Sequence, residues 1–174
     1  LAILSGSDQA SFYQFAEDIV KIVGPDVSIK ISNKATYGAN DNFDQLVDPK
    51  SPYKLAILQS DNLYNMQAQD MLNNTSKTNG LYVVVPLGYD EIHIVTKSNK
   101  GITRLQDLSY KTVAIGTTDQ GTYTTANIIN SRSKIHWSSK NIRLEDALND
   151  LRMDKIDAFV VVSAAPIEKL NLNP

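Results

Sequence analysis

Short continuous apolar runs alternate along the chain with stretches in which apolar residues recur every three or four positions. Continuous runs are typical of strands buried in a parallel sheet, whereas the wider spacing is typical of amphipathic helices. The runs, with one stretch of apolar–polar alternation at 27–31, predict seven strands: 1–5, 27–31, 55–58, 81–85, 92–95, 112–115 and 158–162. The wider spacing predicts six helices or helical turns: 11–23, 42–47, 60–72, 104–108, 121–131 and 144–151. The pattern is that of an α/β protein.

Single residues predict the start of one helix and the buried face of another. Ser11 followed by Gln14 suits a capping box at the start of the helix 11–23. The helix 60–72 carries an apolar stripe at positions i, i+4, i+7 and i+8, which predicts the side that is buried: Tyr64, Ala68, Met71 and Leu72.

Two blocks of alternating strands and helices lie on either side of a connecting segment near residues 95–101. This organisation predicts two α/β lobes, residues 1–97 and residues 98–174. A single doubly wound domain of the flavodoxin type also fits the length and the alternation.

Four loops follow predicted strands and lead into helices: 5–11, 59–61, 116–122 and 163–166. Ligands of open parallel sheets bind at the carboxyl ends of the strands, where free backbone N–H groups attract carboxylate or phosphate. We therefore expect these loops to outline a polar cleft, while each one also suits a simple capped turn. The lysine of a P-loop and the full glycine pattern of a dinucleotide site are missing, which disfavours a nucleotide ligand.

The composition narrows the classes of partner and cofactor. The 174 residues are 42% hydrophobic and 21% charged, with a formal net charge of −2, so no basic excess favours nucleic acid or an anionic membrane as a partner. Without cysteine, disulfides and thiolate metal sites are excluded. His93 and His136 have no second ligand at helical spacing, so we expect both to be structural and predict no metal or other cofactor.

The first residue of the chain and the length of its apolar runs are relevant to the cellular compartment of the protein. The longest apolar runs, such as 159–162, fall far short of the ~20 residues that span a bilayer. The chain opens on Leu1 rather than Met, and we expect that a signal peptide has been removed.

Several motifs follow one another along nearly the whole chain. They read SGSDQASFY (5–13), KATYGANDNFDQL (34–46), LAILQSDNLY (55–64), VPLGYDEIHIVTKSNKGITRLQDL (85–108), VAIGTTDQGTYTTANII (113–129) and RLEDALNDLRMDKIDAFVVVSAAP (143–166). In this order and spacing, the chain resembles the TAXI family of TRAP-transporter solute receptors, within the wider type II periplasmic binding-protein fold.

The resemblance implies two α/β lobes that hinge, close over a small solute and pass it to a membrane transporter. It implies a periplasmic or extracellular protein without enzymatic activity, with carboxylates as solutes, notably glutamate or glutamine. Carried over to this chain, the family pattern implies ligand contacts at nine residues: Ser11, Tyr13, Thr36, Gly38, Asn42, Gln59, Ser60, Gly121 and Thr122.

Two loops depart from the family pattern. Asp8, Gln9 and Ala10 replace the expected small residues of the first loop, and Asp119 and Gln120 stand where the second lobe usually has Gly-Ser. An aspartate at a helix N-terminus repels an incoming anion. We therefore expect an amino acid, or another ligand with a cationic end, rather than a plain dicarboxylate.

The chain also stops at Pro174, before the segment that in the family completes the second lobe and returns to the first. We expect a truncated chain or a reduced variant. Uncovered sheet edges and apolar surface would then favour a homodimer or contact with a partner.

Two other functions fit the sequence. A sensory input domain would use the same lobes to report a ligand to a kinase or regulator. A hydrolase or lyase would use Asp8 or Asp119 as a catalytic carboxylate, although both residues also suit simple helix capping. The resemblance favours the solute receptor over both.

Overall fold

A computed structural model describes residues 1–8, 10–26, 28–167 and 170. The chain divides into two compact units, residues 1–89 and residues 90–174. Each unit places helices on a small sheet. In the part of the chain that is described, no helix is both long and apolar enough to cross a bilayer.

The first unit is a three-stranded parallel sheet in which every strand is followed by a helix. Its elements are β1 (Ala2–Leu4), α1 (Ser11–Val23), β2 (Ser32–Lys34), α2 (Ala39–Val47), β3 (Leu55–Ala56) and α3 (Ser60–Asn73). The strand order is β2-β1-β3, and Ile3 lies opposite Asn33 on one side and Leu55 on the other. The apolar side of α1 packs on the sheet around Ile3, Ala16 and Ile57.

The second unit is a four-stranded mixed sheet with order β4-β7-β5-β6. Its elements are β4 (Glu91–Thr96), β5 (Thr112–Ala114), α4 (Gly121–Ser133), β6 (Ser138–Lys140), α5 (Leu144–Arg152) and β7 (Ala158–Ser163), with 3-10 turns at Ser98–Lys100 and Leu105–Leu108. Only β4 runs antiparallel to its neighbour. Successive residues of β5 face opposite layers, since Val113 packs with Ala126 of α4 and Ala114 packs with Ala147 of α5.

The periodic pattern predicts the helices and most strands of both units well. The helix 11–23 is confirmed at both ends, and the helices 121–131 and 144–151 are confirmed to within two residues. The strands 92–95, 112–115 and 158–162 are likewise confirmed as β4, β5 and β7. The short strand β6, which pairs with β5, was not predicted because its sequence, Ser-Ser-Lys, carries no apolar signal.

Two predicted strands are wrong. The second strand of the first unit, β2, is Ser32–Lys34, whereas the sequence predicts a strand at 27–31. Val27, the first residue of that predicted strand, lies outside the described residues. The polar segment is recruited because the Asn33 side chain accepts a hydrogen bond from Ser5 and donates one to Glu17. Residues 81–85 form no strand, and their side chains at 82–85 are exposed.

Two predictions about helix ends and faces are also wrong. Ala10 is the N-cap of α1 and makes no side-chain cap bond, so Ser11 is the first helical residue and not the cap. On α3 the predicted buried stripe points outward, with Tyr64, Met71 and Leu72 exposed. The residues that α3 buries instead are Asn62 and Asp70.

The sequence places the boundary between the lobes at 97/98, whereas the structure groups residues 90–97 with the second unit. The reason is β4, which pairs with β7 over six residues, from Glu91 opposite Ser163 to Thr96 opposite Ala158.

Candidate functional site

The carboxyl ends of β1, β2 and β3 lie at one edge of the first unit's sheet, here called the first edge. Because the three strands are parallel and each leads into a helix, the starts of α1, α2 and α3 lie at the same edge. Seven of the nine predicted contact residues are found there: Ser11, Tyr13, Thr36, Gly38, Asn42, Gln59 and Ser60. Ser11 and Ser60 begin α1 and α3, while Gly38 and Gln59 are the N-cap residues of α2 and α3.

Asn42 ties the strands of the first edge together. Its side-chain Nδ2 donates to the carbonyl oxygens of Ser5 at 2.5 Å and Ile57 at 2.8 Å, at the ends of β1 and β3. Its Oδ1 accepts the hydroxyl of Thr36 at 2.6 Å. The side chain is fully buried, so in this structure Asn42 positions the edge and Thr36 rather than presenting its own amide to solvent.

A second buried network joins β1, β2 and α1. The hydroxyl of Ser5, which is also fully buried, lies 2.6 Å from Asn33 Oδ1. Asn33 Nδ2 donates to the Tyr13 carbonyl oxygen at 3.2 Å and to Glu17 Oε1 at 2.9 Å. The sequence places Ser5 in the loop 5–11 of the expected cleft but gives no sign of Asn33 at this edge, because Asn33 contacts Ser5, Tyr13 and Glu17 at separations of 16 to 28 residues and no local pattern records such contacts.

The loop between β5 and α4, residues 116–120, forms the corresponding edge of the second unit, here called the second edge. Gly116 has φ +78°, and a Cβ there would come within 2.9 Å of Gln120 Oε1. That oxygen accepts the backbone N–H of Thr117 at 3.0 Å, and the Gln120 N–H donates to the Thr117 carbonyl at 2.9 Å. The loop is thus a closed turn whose backbone conformation favours glycine at its first position.

Asp119, in the same loop, is paired with a cation. Arg143 Nη2 lies 2.6 Å from Asp119 Oδ2, and the Thr117 hydroxyl donates to Asp119 Oδ1. The sequence-based expectation treated Asp119 as an uncompensated charge that repels anions. The structure corrects it, because the guanidinium of Arg143 offsets that charge at contact distance.

The two predicted contact residues of the second unit differ in what they expose. Gly121, the first residue of α4, is buried. Thr122 is half-buried, and its hydroxyl oxygen accepts the backbone N–H of Val162 at 3.1 Å, which links α4 to β7. The hydroxyl proton of Thr122 is still able to donate to a ligand.

A small hollow of about 30 Å³ opens at the second edge. This volume holds one or two water-sized groups. The hollow is lined by the loop, the start of α4, the start of α5 and β7: Ala114, Gly116, Gln120, Thr122, Ile142, Leu144, Ala147, Val160 and Val161. Arg143 stands between two lining residues of the start of α5, and Asp119 stands beside a lining residue of the loop.

Asp8, one of the other candidate groups, lies in the loop between β1 and α1 at the first edge. Asp8 is exposed, and Gln9 lies outside the described residues. His93 Nε2 lies 3.5 Å from Glu91 Oε2 on β4, and His136 is exposed. Among the described residues, no three side chains that could ligate a metal come together.

The structure brings Thr36 and Asn42 into direct contact and places the remaining predicted residues at the first or second edge. That any of the nine contacts a ligand stays a prediction. Arg143 is the functional candidate that sequence reasoning missed, since its partner lies 24 residues away in a different loop.

A model of the NMT1-like family matches residues 3–171. No curated protein sequence matches the chain. Solved structures, in contrast, share its fold while differing widely from it in sequence.

Three of these structures illustrate the likeness. An ancestral arginine-binding protein bound to arginine is 16% identical, with a TM-score of 0.59, and the match covers 93% of this chain and 69% of that one. An ABC-transporter periplasmic binding protein from Brucella ovis with glutathione bound is 16% identical, with a TM-score of 0.62 and coverage of 93% and 51%. The solute receptor for L-cysteine of Neisseria gonorrhoeae is 16% identical, with a TM-score of 0.58 and coverage of 93% and 63%. The predicted α/β fold of type II periplasmic binding proteins is confirmed.

Proposed function

The chain belongs to the NMT1-like family, and from this premise we propose that it is an extracytoplasmic receptor that binds a small polar metabolite for a membrane transporter. The ligand class is an amino acid or a carboxylate. The protein acts by binding alone and catalyses no reaction.

The observation that carries the proposal is the position of the nine predicted contact residues. All of them lie in loops that follow parallel strands or at the starts of the next helices. The first N–H groups of a helix have no partner within the helix and carry a partial positive charge, so they suit the carboxylate of a metabolite. Hydroxyls of Ser11, Ser60 and Thr122 add donors of the same kind.

The proposal is tested by isothermal titration of the chain with L-glutamine, L-glutamate, L-arginine, L-cysteine and succinate. We expect at least one of them to bind. Gln59→Ala and Thr122→Val should each weaken that ligand about tenfold, the equivalent of one lost hydrogen bond of roughly 1.4 kcal/mol. Gln67→Ala is the matched control, since Gln67 is exposed on α3 away from its start, and should leave binding unchanged.

Two results would contradict this function. Silence of the wild-type chain across the whole panel would do so. The function would also be contradicted if Gln59→Ala and Thr122→Val bound the ligand as tightly as Gln67→Ala does, with all three variants shown to be folded by circular dichroism.

We propose a TRAP-type transporter of the TAXI kind as the partner, on the basis of the motif order along the chain, and a periplasmic or extracellular location. Neighbouring structures include receptors of ABC transporters, so the two classes must be compared directly. With TRAP membrane subunits in proteoliposomes, the chain should support uptake of its radiolabelled ligand. Uptake with an ABC permease instead would contradict the TRAP assignment.

We also propose that a second copy of the chain covers the exposed apolar side chains of the first unit. Those in residues 81–89 and on α3 are Tyr64, Met71, Leu72, Tyr82, Val83, Val84, Val85, Leu87 and Tyr89. Each side chain offers a surface area on the order of 100 Å², so together they offer roughly 900 Å². This area is comparable to the ~800 Å² that each partner buries in a stable interface.

A further inference from the structure

A groove of about 480 Å³ lies at the end of the second unit's sheet that is opposite the second edge. It is here called the α5 groove, and it is lined by the end of β4, the turn after it and the C-terminal half of α5: Val95, Thr96, Lys97, Ser98, Asn99, Leu148, Leu151 and Arg152. The groove lies at this end because β4 runs antiparallel to β7, so that Thr96 pairs with Ala158 at the start of β7. Small-molecule sites typically have volumes of about 300–1,000 Å³, a range that includes this groove.

Three apolar side chains line the α5 groove. Leu151 is buried in the core cluster that α5 forms with β7, while Val95 and Leu148 pack against that cluster and remain half-buried. Leu148 and Leu151 are three residues apart on α5 and therefore lie side by side on one face of the helix. An apolar group that enters the groove is removed from water against these side chains, which favours binding.

The charged residues in the lining, Lys97 and Arg152, are both cations. Lys97 Nζ is already occupied, since it lies 2.9 Å from Asp154 Oδ2 and 2.9 Å from the Arg152 carbonyl oxygen. Lys100 Nζ lies 3.1 Å from the other oxygen of Asp154 and 3.4 Å from Asp157 Oδ1. The two lysines and the two carboxylates beside the groove thus balance one another.

Arg152 carries the remaining positive charge. Its side chain is exposed, and no described residue forms an ion pair or a hydrogen bond with its guanidinium group. Arg152 follows Leu148 by four residues, so the charged and the apolar parts of the lining lie within one helical turn, about 6 Å. A guanidinium group presents two parallel N–H donors that fit a carboxylate.

We propose that the α5 groove is a second binding site, whose ligand is a small amphipathic carboxylate. Its short apolar chain lies against Val95, Leu148 and Leu151, and its acid group pairs with Arg152. The single surplus charge selects an anion over a neutral or cationic molecule with the same chain. The proposal is independent of the receptor function, because the groove lies at the opposite end of the sheet from the second edge.

Isothermal titration of the whole chain at low ionic strength tests the proposal with three probes that share an eight-carbon chain: octanoate, 1-octanol and octylammonium. Octanoate should bind one to one and about tenfold more tightly than either of the others, since only its end group pairs with Arg152. Hexanoate should bind about tenfold more weakly than octanoate, because two methylene groups fewer are buried.

Two matched arginine variants locate the acid group of the probe. Arg152→Gln should weaken octanoate about tenfold and leave 1-octanol, and the five ligands of the receptor panel, unchanged. Arg132→Gln is the control, because Arg132 is also an exposed arginine in the last turn of a helix, α4, and does not line the groove. It should leave the affinity for every probe unchanged. Leu148→Ala should weaken octanoate and 1-octanol alike, with circular dichroism showing that the variant is folded.

The proposal stands if octanoate binds selectively and only Arg152→Gln, of the two arginine variants, removes the selectivity. It is overturned if octanoate does not bind, if the three eight-carbon probes bind equally, or if the two arginine variants bind octanoate equally. It is also overturned if octanoate is silent and Arg152→Gln changes the dimer fraction, since a second copy of the chain then covers the groove. Each of these failures leaves the receptor function standing, because that function is judged on the amino-acid panel with Gln59→Ala and Thr122→Val.

Discussion

At the scale of single residues, Asn42 decides the geometry of the first edge. One buried side chain satisfies the backbone of both β1 and β3 and accepts the hydroxyl of Thr36. A buried carbonyl that loses its donor costs free energy, because water does not replace the bond. The precision of the edge therefore depends on a residue that does not itself face solvent.

We predict that Asn42→Ala lowers the free energy of unfolding by about 2–3 kcal/mol, because two carbonyl groups and one hydroxyl lose their partner. Urea-induced unfolding measures the change. The control is Asn79→Ala, at an exposed asparagine of the same unit, which should change stability by less than about 0.5 kcal/mol. Equal effects of the two substitutions would show that the Asn42 network contributes little.

Gly116 shapes the loop of the second edge, and its substitution gives a second prediction. Gly116→Ala places a Cβ 2.9 Å from Gln120 Oε1 in a residue with φ +78°. Gly101→Ala is the matched control, since Gly101 has φ +66° and nothing within 4 Å of the added Cβ. Both should lose roughly 1–2 kcal/mol from the backbone conformation, and Gly116→Ala should lose more because the Gln120 side chain must move.

Thermal unfolding compares the two glycine variants. Ligand titration adds a second measurement, in which Gly116→Ala weakens binding and Gly101→Ala does not. Identical melting temperatures for the two variants would mean that the loop accommodates the methyl group freely.

At the scale of elements, α3 shows how a polar contact overrides an apolar stripe. Asp70 faces inward and accepts hydrogen bonds from the Thr75 hydroxyl at 2.6 Å and from the backbone N–H and the hydroxyl of Thr78 at 2.7 and 2.8 Å. These bonds hold the loop after α3 against the helix. The Thr75 hydroxyl, followed by the Thr78 backbone N–H, holds the pKa of Asp70 far below its ordinary value.

The depressed pKa predicts a dependence of stability on pH. A carboxylate that is more acidic in the folded state stabilises the fold at pH values above its unfolded pKa of about 4. This stabilisation declines progressively as the pH falls below that value. Asp70→Asn should therefore melt at a lower temperature than the wild type at pH 7, and the difference should shrink at pH 3.

Melting curves at the two pH values check this prediction. Asn79→Asp is a control that adds a carboxyl group at an exposed position of the same unit and should show no comparable trend. A difference between wild type and Asp70→Asn that stays constant from pH 7 to pH 3 would contradict the assigned hydrogen bonds.

At the scale of the whole molecule, the exposed apolar side chains of the first unit predict self-association. Val83 and Val84 are 75% and 80% exposed, and soluble monomers rarely present such residues in a continuous run. Light scattering coupled to size exclusion should therefore show a dimer whose fraction rises with concentration. Val83→Asp combined with Val84→Asp should give a monomer, since a buried unpaired carboxylate opposes association.

Ile22→Asp is the control for this experiment, because Ile22 is 72% exposed on α1 of the same unit and lies outside the proposed interface. It should leave the dimer intact. A wild-type chain that remains monomeric at every concentration would contradict the proposed dimer, and loss of the dimer in Ile22→Asp would place the interface elsewhere.

The sequence by itself determined the class of fold and most of its elements. Apolar periodicity located α1, α4 and α5 and the strands β4, β5 and β7, because each signal is complete within about fifteen residues and reflects burial directly. The order and spacing of motifs over nearly the whole chain indicated a solute receptor. The parallel strands of each unit place its predicted contact residues at a common edge.

Only the tertiary structure decided which side chains meet. Ser5 with Asn33, Asn42 with Ser5, and Asp119 with Arg143 are separated by 28, 37 and 24 residues. The same contacts explain why a polar segment became β2 and why Asp119 is not a free charge. Periodicity reports how buried a position is on average, whereas a hydrogen bond between distant residues depends on strand order and loop geometry, which no local pattern records.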